Sequence, residues 1–332
     1  MDAPTFVTGA TGFVGSAVAR ALAARGHALR LLVRPRSDRQ NLAGLPAEIV
    51  EGDLTDPPSL TRAVAGCRTL FHLAADYRLW VRNPQNMLRA NVDGTVALMR
   101  AAKAAGVERI VYCSSVAALG LTKDGSPADE TTEVAEPDIV GTYKISKYRA
   151  EQATLQLVRD QGLPAVIVNP AAPVGPRDIK PTPTGKMIAD GARGRIPAYL
   201  DTGLNIVHVD DVALGHILAL ERGRVGERYI LGGENLLLRD LLALVAEVAG
   251  RRPPLIRLRR EWLWPVALGF EAAARFGGIE PLVTRDHLRM ARKRMFYSSA
   301  KAIAELGYRP RPAREAVEDA IAWLRATGRL SR

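Results

Sequence analysis

Thr8-Gly9-Ala10-Thr11-Gly12-Phe13-Val14-Gly15 is a glycine-rich segment that directly follows the apolar run Thr5–Thr8. We predict a strand at Thr5–Thr8 and a helix at Phe13–Arg25, where apolar residues recur at helical spacing. In this setting Gly9 permits a tight turn, Gly12 lets the backbone approach a pyrophosphate, and Gly15 lets helix and strand pack closely. The helix N-terminus then presents free N–H groups to phosphates. The strand–turn–helix context therefore predicts a dinucleotide-binding motif.

Strand and helix patterns keep alternating through the first half of the chain. Further strands are predicted at Leu29–Val33, Glu48–Val50, Thr69–Leu73, Arg109–Cys113 and Ala165–Asn169, and further helices at Ser59–Val64, Asn86–Ala105 and Thr142–Asp160. The strand segments are apolar without alternation, as expected of parallel strands that are buried on both faces. We therefore expect an α/β fold, a doubly wound Rossmann sheet with a smaller, mostly helical substrate-binding lobe.

The pattern changes after Asn169, where five prolines punctuate a predicted loop. Val207–Val209 and Tyr229–Leu231 are predicted as two more strands, one returning to the main sheet and one outside it. We predict an NAD(P)-binding domain at 1–170 with a returning segment near 204–222. The substrate-binding lobe is then expected to comprise 171–203 and 223–332.

Composition narrows the class of protein. The chain has 332 residues, of which 47% are hydrophobic, enough for a large core. No apolar stretch approaches the roughly 20 residues that a membrane span needs. The first residues lack the basic and apolar regions of a signal peptide, and Cys67 and Cys113 both lie in apolar runs, so we expect a cytoplasmic protein. Five scattered histidines and the lack of a Cys-x-x-Cys motif predict no metal site.

The net charge of +11 is concentrated in residues 222–332, which hold 22 Lys and Arg against 12 Asp and Glu. This positive charge either forms a basic surface that binds no partner, or favours the binding of an acidic partner. Nucleic acid is not the expected partner, because aromatic residues make up only 5% and do not alternate with the basic ones.

The most apolar run of the second half is Trp262–Phe270. Basic residues flank it on both sides: Arg257, Arg259 and Arg260 before it, and Arg289, Arg292, Lys293 and Arg294 after it. Two interpretations remain open. The run either packs inside the smaller lobe, or forms an apolar lid over the substrate that also makes peripheral contact with an anionic membrane.

Two positions bear on which dinucleotide is bound. NAD sites usually place Asp or Glu about 20 residues after the glycines, to hold the ribose hydroxyls. Arg34 occupies that place, and a guanidinium grips a 2′-phosphate that a carboxylate would repel. We therefore expect NADP(H) to be preferred, with NAD(H) as the other possibility. Asp53, after the third strand, either accepts from the adenine amino group or caps the helix that follows.

Tyr143 and Lys147 are spaced i, i+4, which places them on one face of a helix. A free phenol has a pKa near 10, and a neighbouring ammonium favours the phenolate. Tyr143 is then suited to proton transfer, and Lys147 both to assist it and to hold the nicotinamide ribose. Ser115 directly follows the fifth strand, which ends at the same cleft. The Ser115 hydroxyl is therefore expected to hydrogen-bond the substrate oxygen. Ser115, Tyr143 and Lys147 are the predicted catalytic residues.

Several motifs resemble the extended short-chain dehydrogenases/reductases over nearly the whole chain. They are Thr8–Gly15, Gly52-Asp53-Leu54, His72-Leu73-Ala74-Ala75, Asn91-Val92-Asp93-Gly94-Thr95, Ser114-Ser115, Tyr143-x-x-x-Lys147 and His208-Val209-Asp210-Asp211-Val212. Residues 75–80, 175–185 and 290–295 are most similar to the hopanoid-associated sugar epimerase family. The chain also resembles dihydroflavonol reductases and hydroxysteroid dehydrogenases.

The resemblance implies a set of cofactor contacts. The pyrophosphate would be contacted by Gly9, Gly12 and Gly15 together with Thr11, Phe13 and Val14 of the same loop. The adenine would be contacted by Asp53 and Leu54. Ala74 and Ala75 would line the cofactor site, and Pro170 would lie near the nicotinamide. Asn91 would support the backbone of the active site. A homodimer is a further expectation.

Three functions compete at this stage. The first is an NADP(H)-dependent oxidoreductase that interconverts a ketone or aldehyde and an alcohol, and Arg34 favours it. The second is an NAD(P)-dependent sugar-nucleotide epimerase/dehydratase, in which Asn169 and Arg177 contact a substrate diphosphate. The third is a non-catalytic cofactor sensor, which the intact set of Ser115, Tyr143 and Lys147 argues against. In each case we expect a small-molecule ligand, whose identity depends on the loops and the second lobe.

Overall fold

Seven parallel strands form the central sheet of the computed structural model, which describes residues 3–78, 80–277, 284–291 and 293–330. The strands are β1 (Thr5–Thr8), β2 (Leu29–Val33), β3 (Ala47–Glu51), β4 (Thr69–His72), β5 (Arg109–Cys113), β6 (Ala165–Pro170) and β10 (Arg228–Leu231). Their order is β3-β2-β1-β4-β5-β6-β10. The order reverses between β1 and β4, which opens a crevice at their carboxyl ends. This confirms the predicted doubly wound Rossmann fold.

Helices cover both faces of this sheet. They are α1 (Phe13–Ala23), α2 (Pro57–Val64), α3 (Pro84–Leu88), α4 (Gly94–Ala104), α5 (Thr142–Gln161) and α7 (Val209–Arg222). α1 and α7 pack together on one face around Val18 and Ile217, and α2, α4 and α5 lie on the other face around Leu98 and Ala150. These apolar faces explain the helical spacing in the sequence, because each helix buries one stripe against the sheet.

Two predictions about this part of the chain were wrong in detail. The helix expected at Asn86–Ala105 is divided by a π-helical turn at Arg89–Asp93, which separates α3 from α4. Such turns often occur at functional sites. The edge strand β3 is not buried on both faces, and Ile49 is 42% exposed, because β3 has a neighbouring strand on only one side.

A second, smaller sheet lies outside the central one. It contains β7 (Ala172–Val174), β9 (Gly203–His208), β11 (Glu234–Leu237) and β13 (Arg294–Met295), while β8 (Ala198–Tyr199) pairs with β12 (Ile256–Arg257). The remaining helices are α6 (Pro183–Ala192), α8 (Leu238–Ala249), α9 (Trp264–Gly277), α10 (Arg285–Met290) and α11 (Ala313–Ala326). α6, α8 and α11 bury an apolar cluster around Ile188 and Val245. The lobe expected to be mostly helical therefore also contains strands.

The predicted domain division differs from the strand pairing at two points. β10 pairs with β6 in the central sheet, although 223–332 was assigned to the second lobe. Within the segment 204–222, α7 packs under the central sheet, whereas β9 belongs to the smaller one. Because the chain crosses between the sheets more than once, the division itself stays a prediction.

The apolar run Trp262–Phe270 lies mainly on α9 and is only partly packed. Ala267 is buried, whereas Trp262 is 68% exposed and Val266 and Leu268 are exposed as well. A purely internal role is therefore wrong for most of the run. Arg292 of the basic flank and Leu79 of the motif at 75–80 lie outside the described residues. Within the described ranges, no helix is long and apolar enough to cross a membrane.

Candidate active site

The glycine loop joins β1 to α1 at the crevice of the central sheet. Gly9 has a φ of +79°, and a Cβ there would lie 2.6 Å from the backbone nitrogen of Ala74. At Gly15 a Cβ would overlap the carbonyl oxygen of Gly9, so the helix can approach the turn only through a glycine. Gly12 precedes α1 and provides no side-chain cap. The first N–H groups of α1 are thus left for a ligand.

The remaining residues of the loop contribute through their backbone. The Phe13 side chain is buried in the core beneath the loop, and Val14 packs against the same core. The carbonyl oxygens of Thr11 and Gly12 accept hydrogen bonds from the Asn41 side chain, at 3.3 and 3.4 Å. Asn41 lies between β2 and β3 and therefore stabilises the glycine loop through its side chain. This residue was not identified from the sequence.

Replacing Gly15 with alanine tests this packing. We expect Gly15→Ala to destabilise the protein by about 1–3 kcal/mol and to weaken dinucleotide binding, because the added methyl group overlaps the Gly9 carbonyl. Thermal unfolding with and without cofactor measures both effects. Gly269→Ala is the matched control, since nothing lies within 4 Å of its Cβ position. Equal stability of the two variants would contradict the proposed packing.

Arg34 lies immediately after β2, at the end of the strand next to the glycine loop. Its side chain is exposed, and its guanidinium has no hydrogen-bond or ion-pair partner among residues 3–78, 80–277, 284–291 and 293–330. The structure therefore leaves this cation available for a ligand. A 2′-phosphate on the adenosine ribose is a group of suitable charge and geometry.

Asp53 does not cap a helix, contrary to one of the two sequence interpretations. Its Oδ1 accepts from the backbone and hydroxyl of Thr55, at 2.8 and 2.7 Å, and Asp56 precedes α2 instead. Burial opposes ionisation of Asp53, but the hydrogen bonds from Thr55 and the charge of Arg34 outweigh it and lower the pKa. The neighbouring Leu54 packs against Gly94, which has no room for a side chain. An adenine contact by Asp53 and Leu54 stays a prediction.

Ser115, Tyr143 and Lys147 meet at the carboxyl end of β5. The Tyr143 hydroxyl is hydrogen-bonded to the Ser115 side chain, which also accepts from the backbone of Ala117 at 3.1 Å. One helical turn further along α5, Lys147 Nζ donates to the carbonyl of Cys113 at 2.8 Å. The structure thus brings the three predicted residues together, with Ser115 and Tyr143 in direct contact.

The protonation of Tyr143 differs from the sequence-based expectation. Burial raises the pKa of Tyr143 to about 12, and the hydrogen bond with Ser115 offsets only part of this. The predicted stabilisation of the Tyr143 phenolate by Lys147 does not offset the effect of burial on the pKa. Burial also lowers the pKa of Lys147, because desolvation disfavours its charged form. At neutral pH the Tyr143 phenol therefore carries its proton and is suited to donate it.

A buried polar network positions the segment that follows β4. Asn91, on the π-helical turn, accepts from the Asp76 backbone at 2.7 Å and donates to its carbonyl at 2.8 Å. It also donates to Ser146 on α5 at 2.9 Å, which ties that segment to the helix carrying Tyr143. Asn91 is thus placed for the support that the resemblance implied.

His72 links the same segment to the glycine loop. Its ring nitrogens contact Thr8 Oγ1 at 2.8 Å and Thr95 Oγ1 at 2.9 Å, and Thr8 Oγ1 accepts from the Ala74 backbone at 3.2 Å. Burial lowers the pKa of His72 to about 3, so this ring is neutral and structural. The backbone of Ala74 is thereby held beside Gly9, and the cofactor contacts of Ala74 and Ala75 stay a prediction.

Asn169 and Arg177 each make contacts within the protein, while Asn169 Oδ1 and Arg177 Nε are buried without a hydrogen-bond partner among the described residues. Asn169, next to Pro170 at the buried end of β6, donates to the carbonyl of Ser115 at 3.0 Å and to Glu151 at 2.7 Å. Arg177 forms an ion pair with Asp210 at 2.9 Å. These contacts orient Ser115 and the loop after β7, and binding of a substrate diphosphate by Asn169 and Arg177 stays a prediction.

The fold and these residues define an enzyme that binds a nicotinamide dinucleotide in a Rossmann crevice. Residues 5–232 match the NAD dependent epimerase/dehydratase family. The chain belongs to this family, the extended branch of the short-chain dehydrogenases/reductases.

Individual relatives agree with this assignment. A Synechocystis protein with the provisional name dihydroflavonol 4-reductase is 43% identical, over 97% of this chain and 95% of its own. Sterol demethylase protein B of Methylococcus capsulatus is 35% identical, over 98% and 99%. The crystal structure of gox2253 is 65% identical, covers 99% of both chains and superposes with a TM-score of 0.90. The chain is therefore an NAD(P)-dependent enzyme that acts on a small molecule.

Proposed function

We propose that this enzyme is an NADP(H)-dependent oxidoreductase that interconverts a ketone or aldehyde and an alcohol. The observation that carries the proposal is the protonated Tyr143 phenol, hydrogen-bonded to Ser115 at the mouth of the dinucleotide crevice. A carbonyl oxygen that accepts from both hydroxyls would be polarised, and would receive its proton from Tyr143. The 43% identical relative named as a dihydroflavonol 4-reductase supports the same chemistry.

The residues present fit a nicotinamide dinucleotide. The uncapped start of α1 would hold the pyrophosphate, and Arg34 the 2′-phosphate of NADP(H). Ala74, Ala75 and Pro170 would line the nicotinamide half, with Lys147 on its ribose. When bound, NADPH supplies the hydride that reduces the carbonyl carbon. Tyr143 donates the proton to the oxygen, Ser115 orients that oxygen, and Lys147 fixes the end of β5 through Cys113.

The second candidate is a sugar-nucleotide epimerase/dehydratase, which the name of the matched family favours. Such an enzyme uses the same three residues but retains its cofactor through the cycle. Arg34, exposed and free for a 2′-phosphate, favours an exchangeable NADP(H) instead. A cofactor sensor without activity is less consistent with Ser115 and Tyr143 in direct contact.

The test begins with the cofactor that copurifies with the protein, identified by mass spectrometry. Consumption of NADPH is then measured against ketones, aldehydes and sugar nucleotides. Turnover of a ketone or aldehyde with stoichiometric NADPH oxidation is the expected result. Activity confined to sugar nucleotides, without net NADPH consumption, would favour the epimerase and contradict the proposal.

We also propose that the substrate is bulky and largely apolar, and that it is reached from an anionic membrane surface. The exposed Trp262, Val266 and Leu268 are flanked in the sequence by exposed basic residues, among them Arg259 and Arg294. Basic residues near an acidic lipid surface each contribute about 1 kcal/mol of attraction. The 35% identical relative is named a sterol demethylase protein, which is consistent with an apolar substrate.

Vesicle sedimentation tests the membrane contact. We expect salt-sensitive binding to vesicles of anionic lipid, no binding to neutral vesicles, and loss of binding in the double variant Trp262→Ser/Leu268→Ser. Ile49→Ser, a change at another exposed apolar residue on the far edge strand β3, serves as the control. Equal binding to anionic and neutral vesicles would contradict the membrane contact.

A further inference from the structure

Lys144, which follows Tyr143 on α5, has an unusual environment for a lysine. Its side chain is largely withdrawn from solvent, and its Nζ contacts the thioether sulfur of Met295 at 3.9 Å. No carboxylate pairs with this ammonium within residues 3–78, 80–277, 284–291 and 293–330. A thioether is a weak acceptor, so the ammonium lacks a strong partner.

The position of Met295 shows which side of the active site Lys144 faces. Met295 packs against the same small apolar cluster as Val116, the residue after Ser115. Tyr297 belongs to this cluster and donates from its hydroxyl to the Val116 carbonyl at 3.2 Å. Lys144 therefore extends from Tyr143 toward β13 of the second lobe, beside the Ser115–Tyr143 pair.

The charged neighbour of Lys144 is another cation, Lys293. Burial, together with the nearby positive charge of Lys293, lowers the pKa of Lys144 to about 8. A largely buried cation with a cationic neighbour and no paired carboxylate in the described part of the chain is costly, because desolvation and repulsion both act against it. An anionic group of a bound molecule would relieve both effects.

We propose that Lys144 binds a carboxylate of the substrate, so that the substrate class is an apolar oxo acid or hydroxy acid. The inference rests on the proposed oxidoreductase function and adds a substrate feature to it. Because Lys144 contacts Met295, and Met295 shares an apolar cluster with Val116 next to Ser115, the carboxylate would lie on the side of the active site that faces β13. Lys144 thereby determines specificity, while Tyr143 and Ser115 act on the oxygen.

Binding of decanoate to the protein–NADP⁺ complex tests the subsite without turnover. By isothermal titration calorimetry, we expect Lys144→Gln to weaken decanoate binding about 10-fold or more, as for loss of a charge-assisted hydrogen bond. Lys144→Arg retains the charge and should retain most of the affinity. Lys103→Gln, at an exposed lysine of α4, should have no effect. Equal decanoate binding by the unmodified protein and Lys144→Gln, or no binding by either, would overturn the proposal.

Activity separates this inference from the proposed function. In NADP⁺-dependent oxidation, we expect 3-hydroxydodecanoate to be preferred over its methyl ester, and Lys144→Gln to lower kcat/KM for the acid about 10-fold while changing that for the ester less than about 2-fold. Decanoate binding that depends on Lys144 supports the subsite even where the NADPH screen fails. UDP binding that depends on Lys144, without decanoate binding, would overturn the carboxylate assignment in favour of a substrate diphosphate.

Discussion

Tyr143→Phe is expected to lower turnover by about 100- to 10 000-fold, the contribution of a positioned proton donor. The substitution removes only the hydroxyl that is hydrogen-bonded to Ser115 and leaves the ring in its place on α5. Cofactor affinity, measured by fluorescence titration, should remain nearly unchanged. Steady-state NADPH oxidation with the substrate found in the screen measures the loss.

Lys147→Ala provides the comparison for this prediction. Lys147 holds the end of β5 through Cys113 and is proposed to hold the nicotinamide ribose, so both turnover and cofactor affinity should fall. Retention of most activity in Tyr143→Phe would show that the proton comes from another group.

Arg34→Asp is expected to reverse the cofactor preference. The guanidinium makes no hydrogen bond or ion pair within the described ranges, which leaves it available for the 2′-phosphate. An aspartate there would repel that phosphate and accept from the ribose hydroxyls. We expect NADPH affinity to fall by about 10- to 100-fold and NADH affinity to rise. Fluorescence titration of both cofactors measures the change.

Arg62→Asp, a charge reversal at an exposed residue of α2, is the control for this variant. It should leave the ratio of the two affinities within about 3-fold, since screening weakens distant surface charges. Equal affinities of the unmodified protein for NADPH and NADH would contradict the role of Arg34.

The sequence sufficed for the first six strands of the central sheet and for the residues gathered around them, but it assigned β10 to the second lobe. Gly9 and Gly15 lie at positions where a side chain would overlap backbone atoms. The motif was therefore recognisable because only glycine fits at these positions. Tyr143 and Lys147 share a helix face by periodicity alone. Ser115 joins them because the carboxyl ends of parallel strands open on one edge of the sheet.

What the sequence did not predict depends on contacts between distant segments. Thr95 completes the His72 network only after the chain has folded, and Asn91 lies on a π-helical turn within an otherwise regular apolar pattern. The raised pKa of Tyr143 follows from burial, which spacing does not reveal. The environment of Lys144 depends on Met295, which is 151 positions further along the chain.

The most direct test of the oxidoreductase assignment follows the hydride. NADPH carrying deuterium on the transferred position of C4 is incubated with the protein and a ketone found in the screen, and the product is analysed by mass spectrometry and NMR. We predict an alcohol with one deuterium on its carbinol carbon, formed in equal amount to the NADP⁺ released, and at least about 100-fold less of it over the same time with Tyr143→Phe. An unlabelled product, or isomerisation of a sugar nucleotide without NADP⁺ release, would contradict the account.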